Sequence, residues 1–411
     1  MISGAQCIKC KGRLFCGLRK CPVLERFNSL KKISFLTRTK SFSGNSPPSL
    51  FVSWKNYPNV SIAPLTPPQL MNESSLLDQP EKWYGMQQEQ IIEMRSLLIS
   101  PFTKTQIESA SSPDRKLSQL QELVMSERPV ELSIELKKEI RPSLSFDSFV
   151  APIGPSAPLK EFSLNENPKI PKKVDYIVSD TDLKSTNALQ ELYESDFAVS
   201  YLQKILSAGL LGRKRERKIV PTRWAITAVD SNLSNKMLEE IKYFPQIDSI
   251  ELFESIYLDN HFIILLIPSS WMFEQLEAWL PGGAWTQKEI KPQIIADYEL
   301  FKGRKDYALN VTGAYYSSRL AVCEYLQKKK RQAAAVILRE IGSGYAVPLG
   351  VWVIRETVRK ALTKKPAVFY DLNTALKYAE KKLKISVTEY KKESKILTEI
   401  KAQKKLSEFL A

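Results

Sequence analysis

Residues 249–267 read SIELFESIYLDNHFIILLI. Apolar, β-branched and aromatic residues dominate both halves of this stretch, which predicts two strands of a hairpin. Its longest apolar run, His261–Pro268 (HFIILLIP), is far short of the roughly 20 residues that span a bilayer. A soluble chain with no membrane partner is expected.

Outward from the hairpin, the pattern is that of a mixed body, α+β or α/β. Towards the C-terminus, Pro281-Gly282-Gly283 punctuates the chain. A helix is then expected from about Tyr315 to Lys330, a strand over Ala333–Leu338, a helix from about Val351 to Leu362, a short strand over Ala367–Tyr370 and final lysine-rich helices. Towards the N-terminus, the pattern predicts a helix over Leu233–Glu240, a strand over Trp224–Val229 (WAITAV) and two helices within Asp182–Ala208. Val150–Lys173 carries Pro152, Pro155, Pro158, Pro168 and Pro171; these forbid a long helix and predict a wandering connection, an ordered excursion or a linker. A helix is predicted over Gln87–Ile99, and Ser46–Pro68 is expected to be irregular, with Asn56–Val60 extended. The chain divides into a basic arm (1–45), two regions (46–290 and 291–400) and a tail (403–411). It shows no repeat, no G-x-G-x-x-G and no P-loop.

The 411 residues include 43% hydrophobic and 10% aromatic residues, enough for sizeable cores. A single histidine, His261, argues against His-based metal sites and Ser/His or Cys/His triads. The formal charge of +15 is concentrated. The first forty residues carry +9, Arg213–Lys218 (RKRERK) carries +4 and Leu376–Ala411 carries +5, leaving −3 for the remainder. Such arms attract polyphosphate through counterion release, and also membrane surfaces or acidic proteins. Lys9, Lys11, Arg13, Arg19 and Lys20 are the candidate phosphate contacts.

Four of the five cysteines, Cys7, Cys10, Cys16 and Cys21, are spaced C-x2-C-x5-C-x4-C. Four thiolates at these intervals can surround one Zn2+ tetrahedrally, a structural zinc finger with no open position. Two disulfides, or a cleaved basic organellar transit segment, are the competing readings. Cys323 is expected to be a core thiol on a helix.

The chain's last nine residues contain Gln403, Leu406, Phe409 and Leu410 as Q-x-x-L-x-x-F-L. In one tight turn the three apolar side chains project together, which looks like the motif by which DNA-processing proteins dock on the sliding clamp, PCNA. The competing reading is a cap on the last helix.

Candidate reactive residues are Arg223 and Asp230, flanking the expected 224–229 strand, Tyr316 and Arg319 at a helix start, Glu340 after an apolar strand, and Glu356 on a helix. Two enzymatic readings survive the shortage of histidine. One is a metal-dependent nuclease using Asp230, Glu340 and Glu356; the other is an NAD-using ADP-ribosyltransferase using an Arg, aromatics and one Glu. Caps and internal ion pairs are the plain alternative for each residue.

Several segments together resemble the archaeal Nre DNA repair proteins: the Cys7–Cys21 cluster, Asn56-Tyr57-Pro58-Asn59-Val60 with Pro64–Pro68, and Gly154–Lys160. Further on come Val178–Lys184, Val220–Asp230, Gly313–Leu320 and Gly350–Glu356. The resemblance covers nearly the whole chain. It implies an N-terminal and a C-terminal family region, a four-cysteine zinc finger and a clamp-binding tail acting in DNA damage repair in an archaeal cytoplasm. It does not supply a reaction. Phe409-Leu410 stands where two aromatics would be the stronger form, which bears on clamp affinity.

Overall fold

The computed structural model describes residues 40–402 except 142 and 288, and before them 4–10, 12, 14–17, 21 and 23. Its described residues fall into two compact units. One holds those within Leu24–Leu233 and Pro348–Trp352, the other those within Met1–Val23, Ser234–Val347 and Val353–Ala411.

The first unit is built on six strands, β1 (Ser41–Ser46), β2 (Leu50–Val52), β3 (Asn59–Pro64), β4 (Ser100–Gln106), β5 (Val130–Leu136) and β6 (Ser156–Leu164). They lie in the order β1-β5-β6-β4-β3-β2, antiparallel except for the parallel pair β4–β6. β5 (VELSIEL) buries Val130, Leu132, Ile134 and Leu136 and exposes Glu135, the alternation of a strand with one wet face. Two expectations are corrected here. The stretch expected to be irregular, 46–68, contains β2 and β3, and the proline-bearing excursion contains the nine-residue β6. Proline excludes helix but not an extended chain: Pro158 pairs with Phe102 across the parallel register, and its carbonyl still accepts from Lys137 N at 2.9 Å.

The helices in chain order are α1 (Gly4–Cys10), α2 (Gln88–Ser96), α3 (Arg115–Met125), α4 (Lys172–Ser179), α5 (Ser185–Glu194), α6 (Val199–Ser207) and α7 (Thr222–Ile241). α2 lies within the expected 87–99 helix, and α5 and α6 are the expected pair. α3 is started by Asp114, whose carboxylate accepts Leu117 N at 2.8 Å. α7 overturns the expected strand at Trp224–Val229 and absorbs the separate helix at Leu233–Glu240. Its buried positions are 223, 225, 226, 229, 230, 233, 234, 237, 238 and 241, a 3.6-residue period that a six-residue β-branched run is too short to reveal. The boundary between the units falls inside this helix, after Leu233.

The second unit contains β7 (Ile250–Tyr257), β8 (Asn260–Ile267), β9 (Met272–Trp279), β10 (Gln293–Glu299), α8 (Gly313–Lys329), β11 (Ala334–Ile341), then β12 (Ala367–Phe369). α9 (Trp352–Leu362) begins at the boundary before it; α10 (Leu372–Glu380), α11 (Val387–Glu393) and α12 (Lys395–Ala402) follow. The hairpin is present as β7–β8, joined by Leu258 and Asp259 with φ of 49° and 53°, the left-handed pair that a two-residue turn requires. The sheet order is β10-β9-β11-β8-β7-β12, with β11 parallel to β9 and antiparallel to β8. One face packs Leu252, Ile263, Leu265, Leu276, Val336 and Leu338 against Ala375, Leu376, Tyr390, Ile396 and Leu397 of the C-terminal helices. The fold is therefore α+β. Among the described residues no helix is long and apolar enough to cross a membrane.

Candidate functional site

Every residue of β9 (MFEQLEAW) is buried, although two of its eight side chains, Glu274 and Glu277, are carboxylates. A strand of this kind holds only if each acid finds a partner, and the partners come from distant sequence. On the face towards α8, Glu277 meets Arg339 of β11, Nη1 to Oε1 2.6 Å. Arg339 also donates from Nε to Asn260 Oδ1 at 3.0 Å, and its guanidinium lies 5.6 Å from the Phe262 ring centroid and 5.9 Å from that of Tyr345. Gln275 donates to Glu277 at 3.1 Å and accepts from the Ser318 hydroxyl of α8.

Arg319 lies one residue further along α8 and is almost fully buried. Its Nη1 pairs with Glu299 Oε2 at 2.8 Å, and Nη2 donates to Ser234 Oγ at 3.0 Å and Asn235 Oδ1 at 2.7 Å. Trp271 Nε1 donates to the other Glu299 oxygen at 3.0 Å. Burial works against the charge of Arg319, but Glu299 outweighs it and holds the guanidinium above its usual value. Tyr316 is buried too: its hydroxyl accepts Ala308 N at 3.0 Å, and its ring stacks on Tyr307 at 5.4 Å. Both residues, singled out as candidate reactive residues at a helix start, are thus engaged in internal contacts, and Tyr316 fixes the loop before α8.

On the opposite face, two carboxylates cap the C-terminal helices from the sheet. Glu274 accepts from the Ser394 hydroxyl, Lys395 N at 2.8 Å and Ile396 N at 3.2 Å, at the start of α12. Glu340 accepts Lys384 N and Ile385 N at 2.9 and 2.7 Å, just before α11. His261 sits between carboxylates, Nε2 3.0 Å from Glu254 Oε1 and Nδ1 3.8 Å from Glu340 Oε2. Burial pushes Glu340 up, yet the imidazole and the two N–H groups outweigh it and its carboxyl titrates below the ordinary range. For Glu274 burial wins, and its carboxyl titrates above that range. Glu356 of α9 pairs with Arg359 at 2.9 Å, and Arg359 reaches Glu324 of α8. Cys323 is the expected core thiol, pushed up by burial.

In the other unit, Arg223 is the second residue of α7 rather than a strand end. Its guanidinium lies 4.5 Å from the Phe149 ring centroid and 5.1 Å from that of Trp54, with Asp147 Oδ2 at 3.3 Å. Asp230, seven residues on and so on the same helix face, is fully buried and accepts from Gln203 Nε2 of α6 at 3.3 Å.

The cysteine segment starts with α1, which carries Cys7 and Cys10 one turn apart. Left-handed Gly12, Leu14 and Gly17 then turn the chain back, and Phe15 N donates to Cys10 Sγ at 3.3 Å. Burial raises the Cys7 pKa, and Cys21, Cys10 and Cys16 each raise it further, so all four thiols act on one neighbourhood. Among the described residues no group of three or more His, Cys, Asp or Glu side chains is gathered to hold a metal ion. Lys9 is exposed, whereas Lys11, Arg13, Arg19 and Lys20 lie outside the described residues, as do Gln403, Leu406, Phe409 and Leu410.

Sequence reasoning missed Glu274, Glu277 and Arg339. The only sequence signal was an acidic strand with no basic residue beside it.

Two mixed sheets, each with one parallel pair, an interior crossed by ion pairs and an N-terminal four-cysteine segment define an α+β protein of two units. The chain belongs to the archaeal Nre family, matching the model for its N-terminal region over residues 15–286 and that for its C-terminal region over 299–409. Relatives include the DNA repair proteins NreB and NreA of Archaeoglobus fulgidus. NreB is 38% identical over 93% of this chain and 94% of its own, and NreA is 38% identical over 92% and 94%. The DNA repair protein NreA of Haloferax volcanii is 34% identical over 86% of each chain. No solved structure matches.

Proposed function

We propose that this chain is an archaeal DNA damage repair factor that binds DNA and is recruited by the sliding clamp, PCNA, through Gln403, Leu406, Phe409 and Leu410. The observation that carries the reading is similarity along almost the full length of relatives named DNA repair proteins. The Q-x-x-L-x-x-F-L tail adds the clamp, and the basic first forty residues add an electrostatic hold on DNA. A cytoplasmic location follows from the same reading.

The four cysteines fit a structural zinc. Cys7 feels the other three thiols, and a backbone N–H already supports the Cys10 sulfur, the kind of outer contact that steadies a thiolate ligand. Bound zinc would supply folding free energy to a segment too short for its own core. Cys7, Cys10, Cys16 and Cys21 would hold it, presenting the neighbouring lysines and arginines to phosphate.

Titrating the clamp with the full chain, with Phe409→Ala and with a chain ending at Lys401 tests the tail. Truncating one buried aromatic anchor is expected to cost about a hundredfold in affinity, and the shortened chain should not bind, while melting temperatures stay level. Equal binding by all three, or binding by none, would remove the clamp from the proposal.

A further inference from the structure

The loop between β10 and α8, residues 300–312, reads LFKGRKDYALNVT. Its backbone is fixed at many points. Arg304 donates to the carbonyl oxygens of Tyr298 at 2.8 Å, Asp306 at 3.2 Å and Tyr307 at 3.2 Å, and to Asp297 Oδ1 at 3.2 Å. The other Asp297 oxygen accepts Asn310 N at 2.9 Å and Val311 N at 2.7 Å. Asn310 Nδ2 returns to Ala296 O at 2.9 Å, and Tyr316 takes Ala308 N as described above.

A loop tied this tightly could have turned its apolar side chains inward. Instead Leu300, Phe301 and Leu309 stand 40%, 45% and 71% exposed, and apolar groups held in water by a rigid scaffold mark a docking surface. One cation lies against the ring, and two more are on the same loop. Lys302 and Lys305 are exposed, the Lys242 ammonium lies 5.3 Å from the Phe301 centroid, and the next residue, Tyr243, is 89% exposed. An aromatic face flanked by lysines matches the alternation of a single nucleic-acid strand, in which unpaired bases stack on rings and phosphates meet ammonium groups. A duplex hides its base faces and would meet only the lysines.

We infer that the 300–309 loop with Lys242 is a binding surface for single-stranded DNA, with Phe301 as the stacking platform and Lys302 and Lys305 as phosphate contacts. This rests on the DNA-binding reading above and narrows its substrate to unpaired strands. No base identity is selected, because stacking accepts every base.

The test uses the full chain and fluorescence anisotropy with an oligothymidylate of about 16 nucleotides, within the reach of such surfaces, and a duplex of the same length. Phe301→Ala and Phe301→Leu should weaken strand binding by about 5- to 150-fold, the worth of one stacked base, and leave duplex binding within about twofold. Phe301→Trp should restore it. The Lys302→Ala, Lys305→Ala double variant should weaken both forms and flatten the salt slope. Phe301→Leu keeps apolar bulk, so it reports on stacking even where the alanine variant loses stability. Strand binding unchanged in Phe301→Leu, or equal losses on strand and duplex, would overturn the inference, as would a loss confined to phosphatidylserine vesicles. Wild type binding neither form of DNA would instead sink the DNA-binding reading itself.

Discussion

Glu274 of β9 and Glu340 of β11 both accept backbone N–H groups from the C-terminal helices, yet their carboxyls titrate on opposite sides of the ordinary range. The difference is the counter-charge: Glu340 has His261 beside it, whereas Glu274 is capped by a hydroxyl and two amides in an apolar layer. A folded-state pKa below the unfolded one gives stability that is present above about pH 4.3 and lost as pH falls through the folded value. Glu340→Gln should therefore cost roughly 1–3 kcal/mol at pH 7, and its gap from wild type should narrow towards pH 3. For Glu274 the sign reverses. Ionisation is disfavoured in the folded state, so wild type gains on Glu274→Gln as pH falls through the raised folded value towards about 4.3. Urea melts of both variants at pH 7, 5 and 3 read the two slopes, and parallel slopes would contradict this electrostatic account. Glu340 was legible in the sequence as an acid closing an apolar strand. Its partners were not, because Lys384 and Ile385 contribute only backbone groups and His261 arrives from a different strand.

Among the elements, the β7–β8 hairpin was readable because both strands and their turn are contiguous. α7 was not, since the run Trp224–Val229 satisfies a strand pattern until burial is followed to Ile241. Thr227, inside that run, discriminates between the two. In a helix Thr227→Ala should hold or add up to about 0.5 kcal/mol, and Thr227→Pro should cost about 3 kcal/mol or more; in a strand the alanine would be the unfavourable exchange. Thermal melts of the two variants decide it. β9 escaped notice because its acids look like a wet face and their partners, Arg339 and Ser394, lie far along the chain. β6 escaped because prolines suggest a linker as readily as an extended strand. The cysteine segment is marked in the sequence by its spacing, and its prediction belongs at this scale. Metal analysis of purified protein should find one zinc per chain, and replacing Cys7, Cys10, Cys16 and Cys21 by serine should remove it; a full equivalent retained in the variant would exclude these ligands.

For the whole molecule, the charge is unevenly distributed along the chain: the first forty residues carry +9. Deleting residues 1–40 should flatten the dependence of log affinity for duplex DNA on log salt, each lost phosphate contact reducing the slope by about 0.9. A titration series from low to high salt with both chains measures it, and an unchanged slope would assign the arm elsewhere. The order of strands has a further consequence, for synthesis. β8 and β9 follow each other in the chain but are not neighbours in the sheet, because β11 lies between them. Until Ile341 has left the ribosome, the apolar edges of β8 and β9 have no strand to close them. The other unit waits as well, since it includes Pro348–Trp352, with Val351 N donating to Phe149 O at 3.1 Å. The first unit cannot be finished until Trp352 is made, when the other is already largely translated, so a nascent chain halted before Trp352 exposes two open cores, and chaperone occupancy should fall only once that residue has emerged.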